Sequence, residues 1–378
     1  MIITLVAGAR PNFMKVAPII KALKTEQEIT KNIIYRLVHT GQHYDKNMSG
    51  DFFEQLGIPE PNVNLGARGC NQSEQTAAIM ISFEEELIQH RPDIVLVVGD
   101  VTSSMACAIV AKKLCIPVVH VEAGIRSGDM TMPEEINRIV TDSISDHFFT
   151  TSENANKHLL KSGVENSRIH FVGNTMIDTL LQNLHRLEKP DFWGSYGLHN
   201  SSYYLLTLHR PSNVDDPSNL KEILDAILRG TEDFFIVFPV HPRTQQQLKK
   251  MQYSNPRLLQ VDPLGYLQFI YLVKNAKGII TDSGGITEEA TVLHVPCMTL
   301  RNSTERPETI TLGSNELIGT NPTNLYPFLK KLQGGKWKQN SVPPLWDGKT
   351  SKRIVSILIS LYSSPSSKKS IKQTIGCK

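Results

Sequence analysis

The stretch VGDVTSSMACAIVAKKLCIPVVHVEAGIRSGDMTMPEEINR, from Val98 to Arg138, decides the fold. Two short apolar runs, residues 94–98 and 117–121, predict strands that are buried on both faces. The spacer of about fifteen mixed residues between them predicts a crossover helix. The first run ends at Asp100 and the second at Glu122. We therefore expect both acids at the carboxyl ends of neighbouring parallel strands, where open α/β sheets bind their ligands.

Length and composition limit the class of protein. A chain of 378 residues favours two domains, and 40 basic against 37 acidic side chains give a net charge of +3. That charge is too small to indicate nucleic acid or an anionic membrane as a partner. The five cysteines are scattered, no apolar run has the roughly 18–20 residues of a membrane span, and no signal peptide is evident. We expect a soluble cytoplasmic protein without a metal site.

Two cations follow the first predicted strand. Arg10 and Lys15 lie at or near the start of a helix, for which Pro11 is a favourable first residue. Because the helix dipole disfavours cations at that end, a bound anion would explain them, although two solvated surface cations are an alternative. The glycines here do not form a dinucleotide-binding GxGxxG. His43, after the second predicted strand, is either a ligand contact or a hydrogen-bonded loop residue.

Pro133 predicts that a helix begins shortly after the strand that carries Glu122. Glu134 and Arg138 lie four residues apart on one face of this helix, which is also the spacing of an ordinary surface ion pair. Their position directly after the second acid-bearing strand favours a place in the site.

A second strand–helix series follows residues 188–202, a segment that breaks the periodicity and is our candidate linker. The alternation predicts a second parallel sheet, and hence an α/β protein with two such sheets. Polar groups follow its predicted strands at His209, His241, Asp262, Asp282 and Arg301.

The motif TDSGGITEEA, residues 281–290, is the most specific feature of the second half. A strand that ends in Ser283-Gly284-Gly285 and restarts as a helix leaves unpaired backbone N–H groups without side chains around them. Such a helix N-terminus is a phosphate site. Glu288 and Glu289 follow within one turn, where a carboxylate can accept hydrogen bonds from a ribose diol.

These elements predict a domain of residues 1–175, a second domain of residues 176–349 and a C-terminal helix at about 350–365. The polar, basic residues 366–378 are expected to form a flexible tail.

Taken in order, the motifs resemble the non-hydrolysing UDP-N-acetylglucosamine 2-epimerases. They are GARPNFMKVAPI, VVGDVTSS, HVEAGIRSGD, MPEEINR, VGNTMID, TLHRPSN, PVHPR, ITDSGGITEEA and LRNSTERPE. The resemblance implies a GT-B architecture of two Rossmann-like domains facing a cleft, a UDP-sugar substrate, no cofactor and a homodimer. It also implies that the C-terminal helix packs back on the first domain.

The resemblance further assigns roles by position. The catalytic and supporting residues it implies are Lys15, Asp100, Glu122, Glu134, Arg138 and His209. The implied UDP-binding residues are Arg10, His241, Phe269, Ser283, Gly284, Gly285, Glu289 and Arg306. One departure is Gln42-His-Tyr-Asp-Lys46, where many members have QHREM near a site for an activating second substrate molecule. We therefore do not expect activation by substrate.

The reaction that the resemblance implies is inversion at C2 by loss of UDP to a 2-acetamidoglucal and its re-addition. The residues suit this route, because a helix N-terminus and cations can stabilise a departing diphosphate while carboxylates move the C2 proton. Four alternatives stay open: a modified UDP-hexosamine as substrate, a hydrolysing epimerase, a GT-B glycosyltransferase, and a catalytically inactive UDP-sugar-binding protein.

Overall fold

The computed structural model describes residues 1–41 and 55–362. His43, the QHYDK segment and the predicted tail lie outside the described residues. The chain divides into two compact units, the first formed by residues 1–182 together with the segment from Pro344, and the second by residues 183–343. No helix within the described ranges is both long and apolar enough to cross a bilayer.

The first unit is built around one parallel sheet. Its strands are β1 (Ile2–Ala7), β2 (Ile34–His39), β3 (Val63–Asn64), β4 (Ile94–Val98), β5 (Val118–Val121), β6 (His147–Thr150) and β7 (Ile169–Phe171). Its helices are α1 (Arg10–Thr30), α2 (Gln72–Gln89), α3 (Thr102–Lys113), α4 (Pro133–Ile144), α5 (Glu153–Lys161), α6 (Thr175–Asn183) and the C-terminal helix (Thr350–Tyr362), with a 3₁₀ turn at Asn166–Arg168.

The strand order of the first sheet is β3-β2-β1-β4-β5-β6-β7, which contains the Rossmann order and reverses between β1 and β4. The prediction from the opening stretch is confirmed, since β4 and β5 are parallel neighbours with Val98 opposite Val121. All five residues of β4 are fully buried, as a strand covered on both faces requires. The crossover helix α3 presents small residues, among them Ala106, Cys107 and Ala108, to this core.

The second unit repeats this plan. Its strands are β8 (Tyr203–Thr207), β9 (Phe235–Pro239), β10 (Leu258–Val261), β11 (Gly278–Thr281), β12 (Cys297–Thr299) and β13 (Asn315–Leu317). Its helices are α7 (Phe192–Ser195), α8 (Pro211–Val214), α9 (Pro217–Gly230), α10 (Pro242–Met251), α11 (Tyr266–Asn275), α12 (Gly284–Val292), α13 (Pro307–Thr311) and α14 (Leu325–Gln333), with 3₁₀ turns at Leu184–Arg186 and Pro322–Asn324. The parallel order β10-β9-β8-β11-β12-β13 reverses between β8 and β11.

The C-terminal helix begins on a carboxylate from another helix. Asp178, a fully buried residue of α6, accepts hydrogen bonds from the backbone N–H groups of Thr350 at 3.0 Å and Ser351 at 2.7 Å. Just before the helix, the indole of Trp346 donates to the carbonyl of Thr151 at 3.0 Å. Asp178 therefore caps the N-terminus of the C-terminal helix although it lies far away in sequence, and its charge compensates the helix dipole.

Replacing Asp178 by Asn should loosen the C-terminal helix, because the amide carries no charge and offers one acceptor where the carboxylate offers two. The expected loss is about 1–2 kcal/mol in the local opening free energy of this helix. Hydrogen exchange of the amides of residues 350–362 measures it directly. Asp191→Asn is the matched control, because Asp191 is exposed and its side chain makes no capping bond. Unchanged protection in Asp178→Asn would contradict this role.

Candidate functional site

In the first unit, the two acids of the opening stretch lie at one edge of the sheet, beside its switch point. Asp100 follows β4 after a single glycine, and Glu122 directly follows β5. The Gly99 N–H donates to the carbonyl of Val121 at 2.9 Å, so the two strand ends stay paired up to the acids. This edge next to the β1–β4 reversal is the usual ligand position in such sheets.

Lys15 forms an ion pair with Glu122. Its Nζ lies 2.5 Å from Oε2 of a carboxylate that is 3% exposed. A Cβ on Gly99 would lie 3.1 Å from the same Nζ, and Gly99 has a φ of +66°, so a side chain there would be strained and crowded. The sequence suggested a bound anion as the partner of Lys15. In the structure that partner is a carboxylate of the protein itself, since a buried charge needs a counter-ion.

Glu122 also has an unusual backbone. Its φ of 66° lies in the left-handed region, which non-glycine residues rarely adopt. A conformation of this kind costs about 1–3 kcal/mol and persists only where the surroundings impose it, typically at functional sites. Both the backbone conformation of Glu122 and its position at the sheet edge are therefore typical of a functional-site residue.

Asp100 is held by Arg138 from the next helix. One guanidinium nitrogen of Arg138 lies 2.5 Å from the Asp100 carboxylate, and the other donates to Glu135 at 2.8 Å. The amide of Asn137 donates to the carbonyl of Asp100 at 2.9 Å. Helix α4 therefore fixes both the side chain and the backbone of Asp100.

Glu135 fixes the loop that leads into α4. Its carboxylate, 2% exposed, accepts hydrogen bonds from Ser127 N at 2.9 Å, Ser127 Oγ at 3.0 Å and Gly128 N at 3.0 Å. Burial by itself would raise the pKa of Glu135, but these bonds and Arg138 outweigh it and leave the pKa below its usual value. The neighbouring Glu134 is exposed. The two adjacent acids therefore differ in kind, with Glu135 structural and Glu134 available to a ligand.

In the second unit, Asp282 organises the switch point between β8 and β11. This fully buried carboxylate accepts from the backbone N–H of His209 at 3.0 Å and of Arg210 at 2.9 Å, and from Asn213 at 3.2 Å. The His209 Nδ1 lies 2.9 Å from its other oxygen, so the imidazole is oriented by an acid. Burial acts to raise the pKa of Asp282, but the bonds from His209 and Arg210 prevail and lower it.

His241 lies beside His209, with 5.9 Å between the ring centroids. Its Nδ1 accepts from the N–H of Arg243 at 3.2 Å, so His241 caps the helix that it precedes. Burial first, and then the neighbouring charges of His209 and Arg243, lower the pKa of His241. A neutral ring is consistent with its use as an acceptor in the cap.

The SGG segment forms the predicted helix N-terminus. Helix α12 begins at Gly284 with Ser283 as its N-cap, and the Ser283 side chain makes no capping hydrogen bond. A Cβ on Gly285 would meet no atom within 4 Å. The first N–H groups of α12 are thus free of a side-chain cap and open to an anion.

Three buried acids lie close together near this helix start, namely Glu288 and Glu289 of α12 and Glu308 of α13. Arg306 Nε donates to the buried Glu288, so Arg306, which the resemblance assigned to UDP, has a partner within the unit. Burial first and the charge of Glu288 second raise the pKa of Glu289 to about 8, although a hydrogen bond from Tyr266 acts the other way. Burial likewise raises the pKa of Glu308.

Two further residues of the UDP-binding prediction are placed by their helices. Phe269 lies partly buried in α11, and its N–H donates to the carbonyl of Gly265 at 2.9 Å. Arg10 is the first residue of α1, the helix that also carries Lys15.

Each unit thus has a parallel sheet in Rossmann-like order with ionisable groups at its switch point, the class of fold that binds nucleotides. A family model described as UDP-N-acetylglucosamine 2-epimerase matches residues 24–359. The UDP-N-acetylglucosamine 2-epimerase of Methanocaldococcus jannaschii is 43% identical over 371 residues, covering 95% of this chain and 99% of that protein.

One solved structure and one further relative are also similar to this chain. The crystal structure of the Methanocaldococcus jannaschii epimerase in complex with UDP-GlcNAc and UDP has a TM-score of 0.83 at 42% identity, over 95% of this chain and 100% of that one. The UDP-2,3-diacetamido-2,3-dideoxy-D-glucuronate 2-epimerase of Pseudomonas aeruginosa is 39% identical over 322 residues, 84% of this chain and 88% of that protein. The chain belongs to the UDP-N-acetylglucosamine 2-epimerase family, and its fold is the GT-B type of two Rossmann-like domains, as the motifs indicated.

Sequence reasoning missed two residues that organise the site. Asp282 stands inside a quoted motif, but only its neighbours were assigned. Glu135 directly follows Glu134, and its ion pair with Arg138 was not predicted. A three-residue spacing from Glu135 to Arg138 was the available signal.

Glu135→Gln and Glu134→Gln should differ in stability. Loss of the buried charge at Glu135 should lower the free energy of unfolding by about 2 kcal/mol, whereas Glu134→Gln should leave it within about 0.5 kcal/mol. Because the pKa of Glu135 is depressed, its stabilisation is complete above the ordinary value of 4.5 and is lost as pH falls through the lowered value. Urea unfolding at several pH values measures both effects. Equal stability of the two variants would contradict the assignment.

Glu289→Gln should stabilise the protein increasingly with pH. Between 4.5 and about 8 the folded state holds a proton on Glu289 that the unfolded state releases, so wild-type stability falls as pH rises through this window. Glutamine removes that loss. The difference in unfolding temperature between variant and wild type should therefore grow from about pH 5 to about pH 8. Glu222→Gln, at an exposed position of α9, is the control and should show no such growth. Parallel wild-type and Glu289→Gln curves would overturn the assignment.

Proposed function

We propose that the protein interconverts UDP-N-acetylglucosamine and UDP-N-acetylmannosamine by inverting C2. The observation that carries this is the pair of acids at the first switch point, Asp100 and Glu122, each held by its own cation in a member of this family. The relative from Methanocaldococcus jannaschii bears the name of this activity at 43% identity. The chain has all the catalytic acids that the family resemblance implies, and this supports an enzyme over an inactive binding protein.

The C2 proton of a sugar is weakly acidic, so the reaction must first make it easier to remove. Loss of UDP does so, because cleavage of the C1–O bond places positive charge on the ring next to C2. A carboxylate takes the proton, and the electrons of the C2–H bond form the double bond of a 2-acetamidoglucal. Protonation of C2 on the opposite face and re-addition of UDP at C1 complete the inversion.

The second unit supplies the groups that this scheme requires for the leaving diphosphate. The open N-terminus of α12 offers backbone N–H groups, and His209 is oriented by Asp282. Preorganised donors of this kind stabilise charge that develops in a transition state without having to reorganise. Glu289 would accept hydrogen bonds from the ribose hydroxyls, which requires its ionised form.

The first unit supplies carboxylates for the proton at C2. Asp100 and Glu122 are neutralised by Arg138 and Lys15, so two acids can lie at one sheet edge without strong mutual repulsion. Glu134 is exposed and is the third candidate. A base on one face and an acid on the other are sufficient, and either of the paired acids can take either role.

A modified UDP-hexosamine is the second candidate substrate. The observation that favours it is the 39% identity to a 2-epimerase of UDP-2,3-diacetamido-2,3-dideoxy-D-glucuronate, which is close to the 43% identity to the N-acetylglucosamine enzyme. The chemistry at C1 and C2 is the same in both cases. Only groups that contact C3 and C6 of the sugar would differ.

The test is to incubate the purified protein with UDP-N-acetylglucosamine in heavy water and to follow C1 and C2 by NMR. Deuterium at C2 together with signals of UDP-N-acetylmannosamine is the expected result. Free N-acetylmannosamine plus UDP would instead indicate a hydrolysing epimerase. No exchange with this substrate but exchange with the diacetamido-glucuronate nucleotide would transfer the proposal to the second candidate.

Asp100→Asn should reduce C2 exchange by at least about 100-fold, because a carboxylate that moves a proton typically contributes that much. UDP affinity, measured by calorimetry, should change less than about threefold. In this proposal Asp100 acts on the proton at C2 and does not bind the diphosphate. Asp129→Asn is the control in the same region, because the partly buried Asp129 carboxylate bonds to Thr131 within its own turn. Full exchange in Asp100→Asn would remove Asp100 from the mechanism.

We also propose that the protein is a homodimer that associates through the helical layer of the first unit. Helices α2, α3 and α4 pack side by side, and α2 and α4 expose Ile81, Ile88, Ile136 and Ile139 at 38–67% of their surface. A set of exposed isoleucines on adjacent helices marks an association surface.

The double variant Ile81→Asp/Ile88→Asp should be monomeric by light scattering, whereas Ile29→Asp, at the far end of α1, should stay dimeric. A monomeric wild type would contradict the proposal.

A cytoplasmic location is the last part of the proposal. The four cysteines within the described residues, Cys70, Cys107, Cys115 and Cys297, are all free thiols. Free thiols are typical of a reducing compartment. Fractionation of the native host would test this.

A further inference from the structure

One histidine interrupts the apolar run of β5. His120 is fully buried, and both of its ring nitrogens have protein partners. Nδ1 lies 2.7 Å from Oδ1 of Asp142, and Nε2 lies 3.0 Å from the carbonyl oxygen of Gly99. A histidine in the middle of a sheet core is costly to bury, so these two contacts decide how it is tolerated.

The partner Asp142 is held as a carboxylate. Its second oxygen accepts from the backbone N–H of Gly124 at 3.1 Å and from the guanidinium of Arg126 at 2.6 Å. These two donors, one of them a cation, favour the ionised form of Asp142 without any contribution from the imidazole ring. Both atoms that face the His120 ring are therefore acceptors. A neutral imidazole has a single N–H and could satisfy only one of them.

We propose that His120 is a buried imidazolium that, with Asp142, positions the two carboxylate-bearing turns of the first unit. One N–H of the cation holds the carbonyl of Gly99, the residue directly before Asp100. The other holds Asp142, which in turn holds the N–H of Gly124, two residues after Glu122. His120 and Asp142 are positioning residues, since neither is assigned a contact with substrate.

The backbone at these turns shows why such a brace is needed. Gly99, Glu122 and Gly124 all have positive φ, at 66°, 66° and 76°, so neither turn is held by regular strand geometry. Displacement of a catalytic group by about 1 Å can cost about 100-fold in rate. A single charged pair that fixes both turns keeps the two acids at a constant separation. This consequence for rate rests on the proposed function at C2, whereas the protonation state does not.

The protonation state is tested first, by ¹⁵N NMR of histidine-labelled protein at about pH 8, where an ordinary imidazole is neutral. The His120 signals, assigned by their loss in His120→Gln, should show both ring nitrogens protonated. In Asp142→Asn the same ring should become neutral. A neutral ring in the wild type would overturn the proposal, whether or not the protein is an epimerase.

The positioning role is tested by the kinetics of C2 exchange. His120→Gln and Asp142→Asn should each lower kcat by about 10- to 100-fold, while KM changes less than about threefold. The kcat of the double variant should be within about twofold of the kcat of the slower single variant, because the two residues act as one unit. His170→Gln, a half-buried histidine on β7 beside His147, is the matched control and should keep the wild-type kcat.

The outcomes separate the two proposals. Unchanged kcat in a folded Asp142→Asn, or a multiplicative loss in the double variant, would contradict the positioning role. If His120→Gln does not fold, Asp142→Asn and the wild-type NMR spectrum still decide the matter, and the His120 signals are then assigned from their change in Asp142→Asn. If the wild-type protein shows no C2 exchange, the proposed function is contradicted, but the result on the protonation of His120 remains valid.

Discussion

The structure depends on one electrostatic constraint, that each carboxylate at the carboxyl edge of the first sheet has its own counter-ion. Lys15 reaches Glu122 from the helix after β1, and Arg138 reaches Asp100 from the helix after β5. Ionised acids withdrawn from water are tolerated only when paired and hydrogen-bonded. Several local features follow from this. Gly99 must lack a side chain beside the Lys15 ammonium, and Glu135 must hold the second half of the Arg138 guanidinium.

The second unit meets the same constraint differently. Asp282 is satisfied by backbone N–H groups and His209, so its charge is kept and used to orient the imidazole. Glu288 is paired with Arg306, whereas its neighbour Glu289 has a raised pKa of about 8. A carboxyl group that is mostly neutral in the free protein costs little to bury. It would become a strong acceptor only when a ligand brings hydroxyl donors to it.

Much of the fold was predictable, because buried parallel strands give continuous apolar runs and the polar residue after each run marks the carboxyl edge. The opening stretch predicted β4, α3 and β5 and the shared edge of Asp100 and Glu122 in this way. Strands β3 and β13, with the sequences VN and NEL, were missed because neither is a continuous apolar run. The motif likeness identified the family from residues spread along the whole chain.

The partners of the site residues were much less predictable, because a side-chain pair between distant segments leaves no local signal. Lys15 and Glu122 are 107 residues apart, and Arg138 and Asp100 are 38 apart. His120 was visible in the sequence, but a lone histidine in a strand does not reveal that both of its nitrogens face acceptors. Glu134 and Glu135 lie four and three residues before Arg138, so both spacings fit an ion pair, and burial identifies Glu135 as the partner.

The central claim is that cleavage of the C1–O bond to UDP accompanies proton exchange at C2. Positional isotope exchange tests it most directly, with UDP-N-acetylglucosamine that carries oxygen-18 in the bridge between C1 and the β-phosphorus. If UDP leaves and re-adds, the label should move into the non-bridging β-phosphate positions, visible by ³¹P NMR, at least as fast as deuterium enters C2. Deuterium at C2 with the label still confined to the bridge would contradict the account.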